Sequence, residues 1–258
     1  MSSEEKKYVS VALDGPSGAG KSTIARSVAQ ELGFVYVDTG AIYRTVALAV
    51  LRAGADPADE SQVVPLLEGL NIQMGYSADG VQKMGLGPED VSEAIREHRI
   101  SGAASKVSAI PEVRAFLLDY QRGLTRAHDV VMDGRDIGTV VLPNADVKIF
   151  LTAAPEARAR RRLRELEQRG QEADFDSILR DIKERDDQDE NRPIAPLKQA
   201  ADAVRAVAHL DVQTCQQRDH LALVRRVGPR PQDRQSHRAV DGSGVHIQKP
   251  QPFGQLTG

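Results

Sequence analysis

A chain of 258 residues, 40% hydrophobic and 28% charged, is long enough for one or two globular domains with a substantial core. Its one cysteine, Cys215, excludes an intrachain disulfide or a cysteine-held zinc and fits a reducing, cytoplasmic compartment. A net charge of -3, 4% aromatic residues and no tryptophan speak against a nucleic-acid partner, and no apolar run approaches the roughly 18 residues of a membrane span or a signal-like leader.

Segment Tyr8 to Leu13, YVSVAL, is short, apolar and rich in β-branched residues, and predicts a strand buried on both faces. The glycine-rich GPSGAGKS follows at once. From Ser22 the apolar residues Ile24, Val28 and Leu32 recur at helical spacing, and Gly33 stands where the helix should end. A second strand, Phe34 to Val37, leads through DTGAIYR into a helix ending near Leu51. The alternation of strands and helices predicts an α/β fold on a parallel sheet.

Between 63 and 99 the character changes. LNIQM and GVQKMGL alternate like the arms of a hairpin with Asp79-Gly80 in the turn, so this stretch reads as an insertion. A helical pattern from Ile100 to Leu124 carries Pro111, which predicts a break or kink. A strand at Asp129 to Met132 ends on DGRDIG, and another follows at Asp146 to Leu151. Pro155 and Gly170 then bracket a helix at its expected ends, and a further helix covers Ile178 to Asp186.

GPSGAGKS matches the phosphate-loop pattern G-x-x-x-x-G-K-[ST] at every fixed position. Gly15, Pro16, Ser17, Gly18, Ala19 and Gly20 form a loop whose amides can converge on phosphate oxygens, and the helix behind it presents its positive end to the same anion. In this chemistry Lys21 reaches the β- and γ-phosphates of ATP, Ser22 ligates Mg2+, and Thr23 completes the helix start. The loop alone leaves GTPase, ATPase and small-molecule kinase open. No guanine-reading NKxD sequence is present, and the chain is short for a motor or transporter, which leaves a small-molecule kinase favoured by elimination.

Moving a phosphoryl group between two anionic partners calls for arginines that gather negative charge. Arg44, Arg135, Arg185 and Arg192 all stand near predicted strand ends or polar loops, although any one of them alone could be a solvated surface residue.

The stretches GPSGAGKS, DTGAIYR, AASKVSAIPEVR, DGRDIGTVVLPNADVKIFL and KERDDQDENRPIAPL, in this order, resemble the bacterial cytidylate kinase family. The resemblance runs from about Val9 to Val204 and includes an insertion carrying EDVSEAIR. It implies a phosphate-loop nucleoside monophosphate kinase fold: a kinase domain over residues 1–204 with an inserted monophosphate-binding region at about 63–99 and a lid region at about 155–192. It implies transfer of the ATP γ-phosphate to CMP or dCMP by a monomer. Residue by residue, Arg44, Arg135 and Arg192 resemble the clamp on the CMP phosphate, and Ser105, Arg114 and Asp136 resemble the readers of cytosine. Asp189 resembles the sugar-contacting carboxylate, with Tyr43 in the same pocket, and Thr39 stands where some relatives carry serine. Arg158 and Arg162 belong to the lid and would approach ATP, with Arg185 contributing from the far side. Asp133 resembles the carboxylate that supports Mg2+ through water; otherwise it would hold the strand end or pair with Lys21.

From 205 to 258 the chain departs from the family's pattern, with more basic than acidic residues and scattered Pro and Gly, and it reads as a poorly ordered tail. Within it RAVAHL could supply a substitute edge strand. An aberrant terminus leaves a second reading open, a chain that binds nucleotides but is too unstable or incomplete to turn them over.

Overall fold

The computed structural model of the chain describes residues 8–207 and 245–246. In chain order its elements are β1 (Ser10–Asp14), α1 (Lys21–Leu32), β2 (Val35–Asp38), α2 (Thr39–Arg52), α3 (Glu60–Leu67), β3 (Ile72–Tyr76), β4 (Gln82–Leu86), β5 (Glu89–Asp90), α4 (His98–Val107), α5 (Pro111–Ala127), β6 (Val130–Gly134), β7 (Val147–Thr152), α6 (Pro155–Gln168), α7 (Phe175–Asn191), β8 (Val204–Val207) and β9 (Val245–His246). They divide between two compact units. One takes in the chain up to Gly40 and resumes at Arg114; the other spans Ala41–Val113 and includes β9.

The first unit is built on a five-stranded sheet of order β2-β6-β1-β7-β8, parallel throughout. Strand β1 is central, and Val11, Ala12 and Leu13 are all buried, with none of the alternation of a half-exposed strand. Helix α1 lays Ile24, Ala25, Val28, Ala29 and Leu32 into one cluster with Val11, Leu13, Val131, Ile149 and Leu151. Each large aliphatic side chain buried there contributes about 1.5–3 kcal/mol. The strands' carboxyl ends therefore converge where β1 and β6 give way to loops, which is where open α/β sheets hold their ligands.

In the second unit β3 and β4 pair antiparallel from Ile72–Leu86 to Tyr76–Gln82, and the Asp79-Gly80 turn closes them as the sequence predicts. Met74 and Met84 sit opposite one another and are buried. Strand β5 pairs with β4, and β9 pairs with β3. The unit is wider than the 63–99 insertion read from composition, because α2 from Ala41 onward and α4 belong to it.

Pro111 does break the helical run: α4 stops at Val107, and Pro111 opens α5, where its missing amide costs nothing. Helix α7 starts three residues before the predicted Ile178 because Asp174 caps it, its carboxylate accepting from the Ser177 amide at 2.8 Å. At the start of the expected poorly ordered tail, the first residues of RAVAHL do supply an edge strand. Val204–Val207 lies parallel to β7 from Ile149–Val204 to Thr152–Val207, since its backbone satisfies the open edge of β7 and Ala206 packs on the core. The rest of that tail, apart from β9, lies outside the described residues. Among the described residues no helix is long and apolar enough to cross a membrane.

Candidate active site

The phosphate loop joins the end of β1 to the start of α1. Gly15 passes so close to β7 that a Cβ there would lie 1.9 Å from the Leu151 carbonyl oxygen, a contact no side chain could survive. Gly20 takes φ +93° as the residue before α1, a left-handed backbone that turns the chain into the helix. Ala19 is fully buried, Ser17 half-buried and Thr23 exposed. Lys21 is buried, and its Nζ donates to the Pro16 carbonyl at 2.8 Å, across the loop it closes. Burial lowers the Lys21 pKa to about 7, with Arg135 adding to the fall and Asp133, Asp189 and Asp14 opposing it. A phosphate anion in the loop would favour the charged ammonium.

Asp133, on β6, meets the loop from the side. Its carboxylate accepts from Ser22 Oγ at 2.9 Å and from the Tyr36 hydroxyl at 3.0 Å, while its backbone oxygen accepts from Thr39 Oγ1 at 2.8 Å. Burial raises the Asp133 pKa to about 6, helped by Asp38, which faces it across the β2–β6 ladder. The hydrogen bonds of Asp133 run to Ser22, Tyr36 and, through its backbone oxygen, Thr39, while Lys21 acts on it through charge. A hydroxyl beside a carboxylate is the oxygen donor chemistry of a hard divalent ion. Among the described residues no cluster of three or more His, Cys, Asp or Glu side chains could hold a metal alone, so such an ion would draw on phosphate and water.

Next to this lies a network of buried carboxylates and guanidinium groups. Arg135 donates through Nε to Asp189 Oδ2 at 2.8 Å. Burial of Asp189 would raise its pKa, yet Arg135, Arg185 and Arg192 together bring it below the ordinary value. Asp136 is ion-paired with Arg114 and, at 3.5 Å, with Arg192, whose Nε donates to the Ala195 carbonyl at 2.7 Å. Arg114, Asp136, Asp189 and Arg192 are all buried. One unit therefore brings together Thr39, Arg114, Asp133, Arg135, Asp136, Arg185, Asp189 and Arg192 with the phosphate loop. Tyr43 and Arg44, on α2, and Ser105, on α4, are half-buried and belong to the second unit.

The arginines of α6 expected at a lid divide. Arg158 is buried and committed: Nε donates to Ala153 O and Nη1 to Ser17 O, both at 3.0 Å, and the group pairs with Asp186 on α7. It ties the phosphate loop to α6 and α7. Arg162 turns to Glu165, at 3.4 Å on the surface, whereas Arg161 reaches the loop, its Nη1 only 3.4 Å from where a Cβ on Gly20 would stand. Both Arg161 and Arg162 follow Arg158 at spacings that share a helix face, so spacing could not choose between them.

Sequence reasoning also passed over Asp14 and Asp186. Asp14 is a carboxylate that follows the apolar run Val11–Leu13 directly before the loop, and that placement was its signal. Burial pushes its pKa up to about 6, against two backbone amides that hold it down.

The family model described as Cytidylate kinase matches residues 11–224, continuing past Val204. The chain is 48% identical over 198 residues to the cytidylate kinase of Caldicellulosiruptor bescii, covering 77% of this chain and 87% of that protein. It is 50% identical over 194 residues to the cytidylate kinase of Vibrio vulnificus, covering 75% of this chain and 85% of the other. Among solved structures, the shikimate kinase of Bacteroides thetaiotaomicron aligns at 15% identity over 85% of this chain and 96% of its own, with a TM-score of 0.40. With the family model spanning most of its length and relatives near half identical, the chain belongs to the cytidylate kinase family.

Proposed function

We propose that this nucleoside monophosphate kinase moves the γ-phosphoryl group of ATP to CMP or dCMP, giving the diphosphate, with Mg2+ held by Ser22 and, through water, by Asp133. The observation that carries the reading is Asp136, held between Arg114 and Arg192 in the same unit as a complete phosphate loop. Cytosine offers an amino donor for the Asp136 carboxylate and acceptors for a guanidinium such as Arg114. Uracil would set a carbonyl against that carboxylate, a mismatch worth about 1–3 kcal/mol or a tenfold or larger preference.

In this reading the loop amides and the positive end of α1 receive the triphosphate oxygens, and Lys21 neutralises charge on the β- and γ-groups. Arg135 and Arg185, gathered around Asp189, and Arg192 beside them supply positive charge for the acceptor phosphate and the group in transit. Bound Mg2+ supplies charge neutralisation on the phosphates. Asp189 offers a carboxylate for the sugar. No residue is assigned as a general base, because a loose transition state asks chiefly for alignment and for charge to be met. Roles for Tyr43, Arg44 and Ser105 rest on the family resemblance. The reading extends to a monomeric, cytoplasmic enzyme.

A coupled ADP-release assay with CMP, dCMP, UMP and AMP on the full chain tests this. Turnover of CMP and dCMP well above UMP and AMP is expected. Preference for AMP would overturn the cytosine reading, and nucleotide binding without turnover would favour the inactive-variant alternative.

A further inference from the structure

Asp14 is the last residue of β1 and the residue before the phosphate loop, and it is buried. Its side chain bonds to the loop after β6. Oδ1 accepts the Ile137 amide and Oδ2 the Gly138 amide, each at 2.7 Å. Those amides open a single π-helical turn, Ile137–Val141, whose first carboxylate neighbour in sequence is Asp136. Amides at the start of such a turn have no partner within it, so one carboxylate that takes both fixes where the turn begins.

The seat is tight. A Cβ on Gly138 would lie 3.3 Å from Asp14 Oδ2 and 3.2 Å from Lys148 Cδ, so a larger residue at 138 would crowd the carboxylate. Lys148, whose stem flanks Gly138, directs its ammonium to the Pro143 carbonyl and to Asp202, so the cations that act on the Asp14 charge are Lys21 and Arg135. Asp14 is thus a buried carboxylate whose bonds are spent on backbone, at a place in the strand where its neighbours Ala12 and Leu13 are apolar. A buried carboxylate is costly, and an apolar residue would serve the strand.

We infer that Asp14 is a positioning residue for acceptor recognition: by gripping the Ile137 and Gly138 amides it sets where Arg135 and Asp136 stand relative to the phosphate loop that begins at Gly15. The inference rests on the reading of Asp136 as the reader of cytosine. Two hydrogen bonds tie the last residue of β1, directly before the donor loop, to the loop after β6, so loosening them misplaces the base reader while the Lys21 bond that closes the donor loop stays in place; Asp14 bears on Lys21 through its charge and not through a hydrogen bond.

Steady-state kinetics on full-length Asp14→Ala and Asp14→Asn test this, with CMP and UMP as acceptors and ATP varied separately. Asparagine is isosteric and keeps one acceptor oxygen, so it answers the question even where alanine fails to fold. The expected result is a fall of about tenfold in the CMP-to-UMP ratio of kcat/KM for alanine, with asparagine in between and KM for ATP within about twofold of wild type. That ratio is independent of the fraction of folded enzyme, so simple destabilisation cannot move it. A folded variant with the wild-type ratio, or with KM for ATP and CMP raised alike, would overturn the role of Asp14. A wild-type enzyme indifferent between CMP and UMP would instead overturn the reading of Asp136 on which it rests.

Discussion

The phosphate loop and the Asp136 network lie in one unit, yet they are made of different material. The loop is backbone: Gly15 fits only because it has no side chain against Leu151 O, and Lys21 closes the loop on the Pro16 carbonyl. The network is side chain: Asp136 after β6 pairs with Arg114 from α5 and Arg192 at the end of α7, and Arg135 pairs with Asp189 of α7. A backbone cradle suits a partner common to many enzymes, whereas crossed ion pairs from distant segments can be tuned to one base. Substitutions in the first should therefore lower the rate with any acceptor, and those in the second should change which acceptor is used.

The largest effect is expected at Lys21. Lys21→Ala should cut kcat by about 100- to 1000-fold for CMP and UMP alike, measured by ADP release, because a donor aimed at developing charge is lost. A loss confined to CMP would break the contrast. Asp136→Ala should act oppositely, lowering kcat/KM for CMP by about 10- to 100-fold while UMP falls less. It should also lower the melting temperature, since Arg114 and Arg192 lose the carboxylate they share in a buried setting.

Smaller effects sharpen the boundary of the donor half. Arg161→Ala should raise KM for ATP by about tenfold, through loss of a charge at the loop, whereas Arg162→Ala removes a surface pair worth about 0–1 kcal/mol and should leave KM near wild type. Equal effects would show that both reach the triphosphate. The smallest is a slope with pH. Asp14 holds its proton up to about pH 6 when folded, against 3.8 ordinarily, chiefly through burial, with Asp136 adding and Lys21 and the two amides opposing. Between those values the folded chain binds more protons than the unfolded one, so Asp14's contribution to stability falls as pH rises across that window. Thermal melts of wild type relative to Asp14→Asn should show that decline and level off above it.

Legibility in the sequence follows the same division. Strand, loop and first helix were readable because their signals are local, an apolar β-branched run, a fixed glycine pattern and a helical spacing, as were the Asp79-Gly80 hairpin and the break at Pro111. Helix α7 was read short because its start depends on Asp174 as a cap, a polar residue without apolar periodicity. Edge strand β8 was uncertain since VRAV gains its place only by pairing with β7. The network was legible only through resemblance: nothing near Asp136 in sequence announces Arg192, and nothing near Asp14 announces Ile137, which is 123 positions away. Arg161 and Arg162 are neighbours on one helix, and only the fold separates the one at Gly20 from the one at Glu165.

The most direct measurement is a crystal structure of the full chain with CMP and a non-hydrolysable ATP analogue. The account predicts the triphosphate in the Gly15–Ser22 loop and an Asp136 carboxylate oxygen within about 3.2 Å of the cytosine amino nitrogen, with Arg114 turned to the same base. Cytosine bound elsewhere, with Asp136 still paired to Arg114 and Arg192, would contradict it.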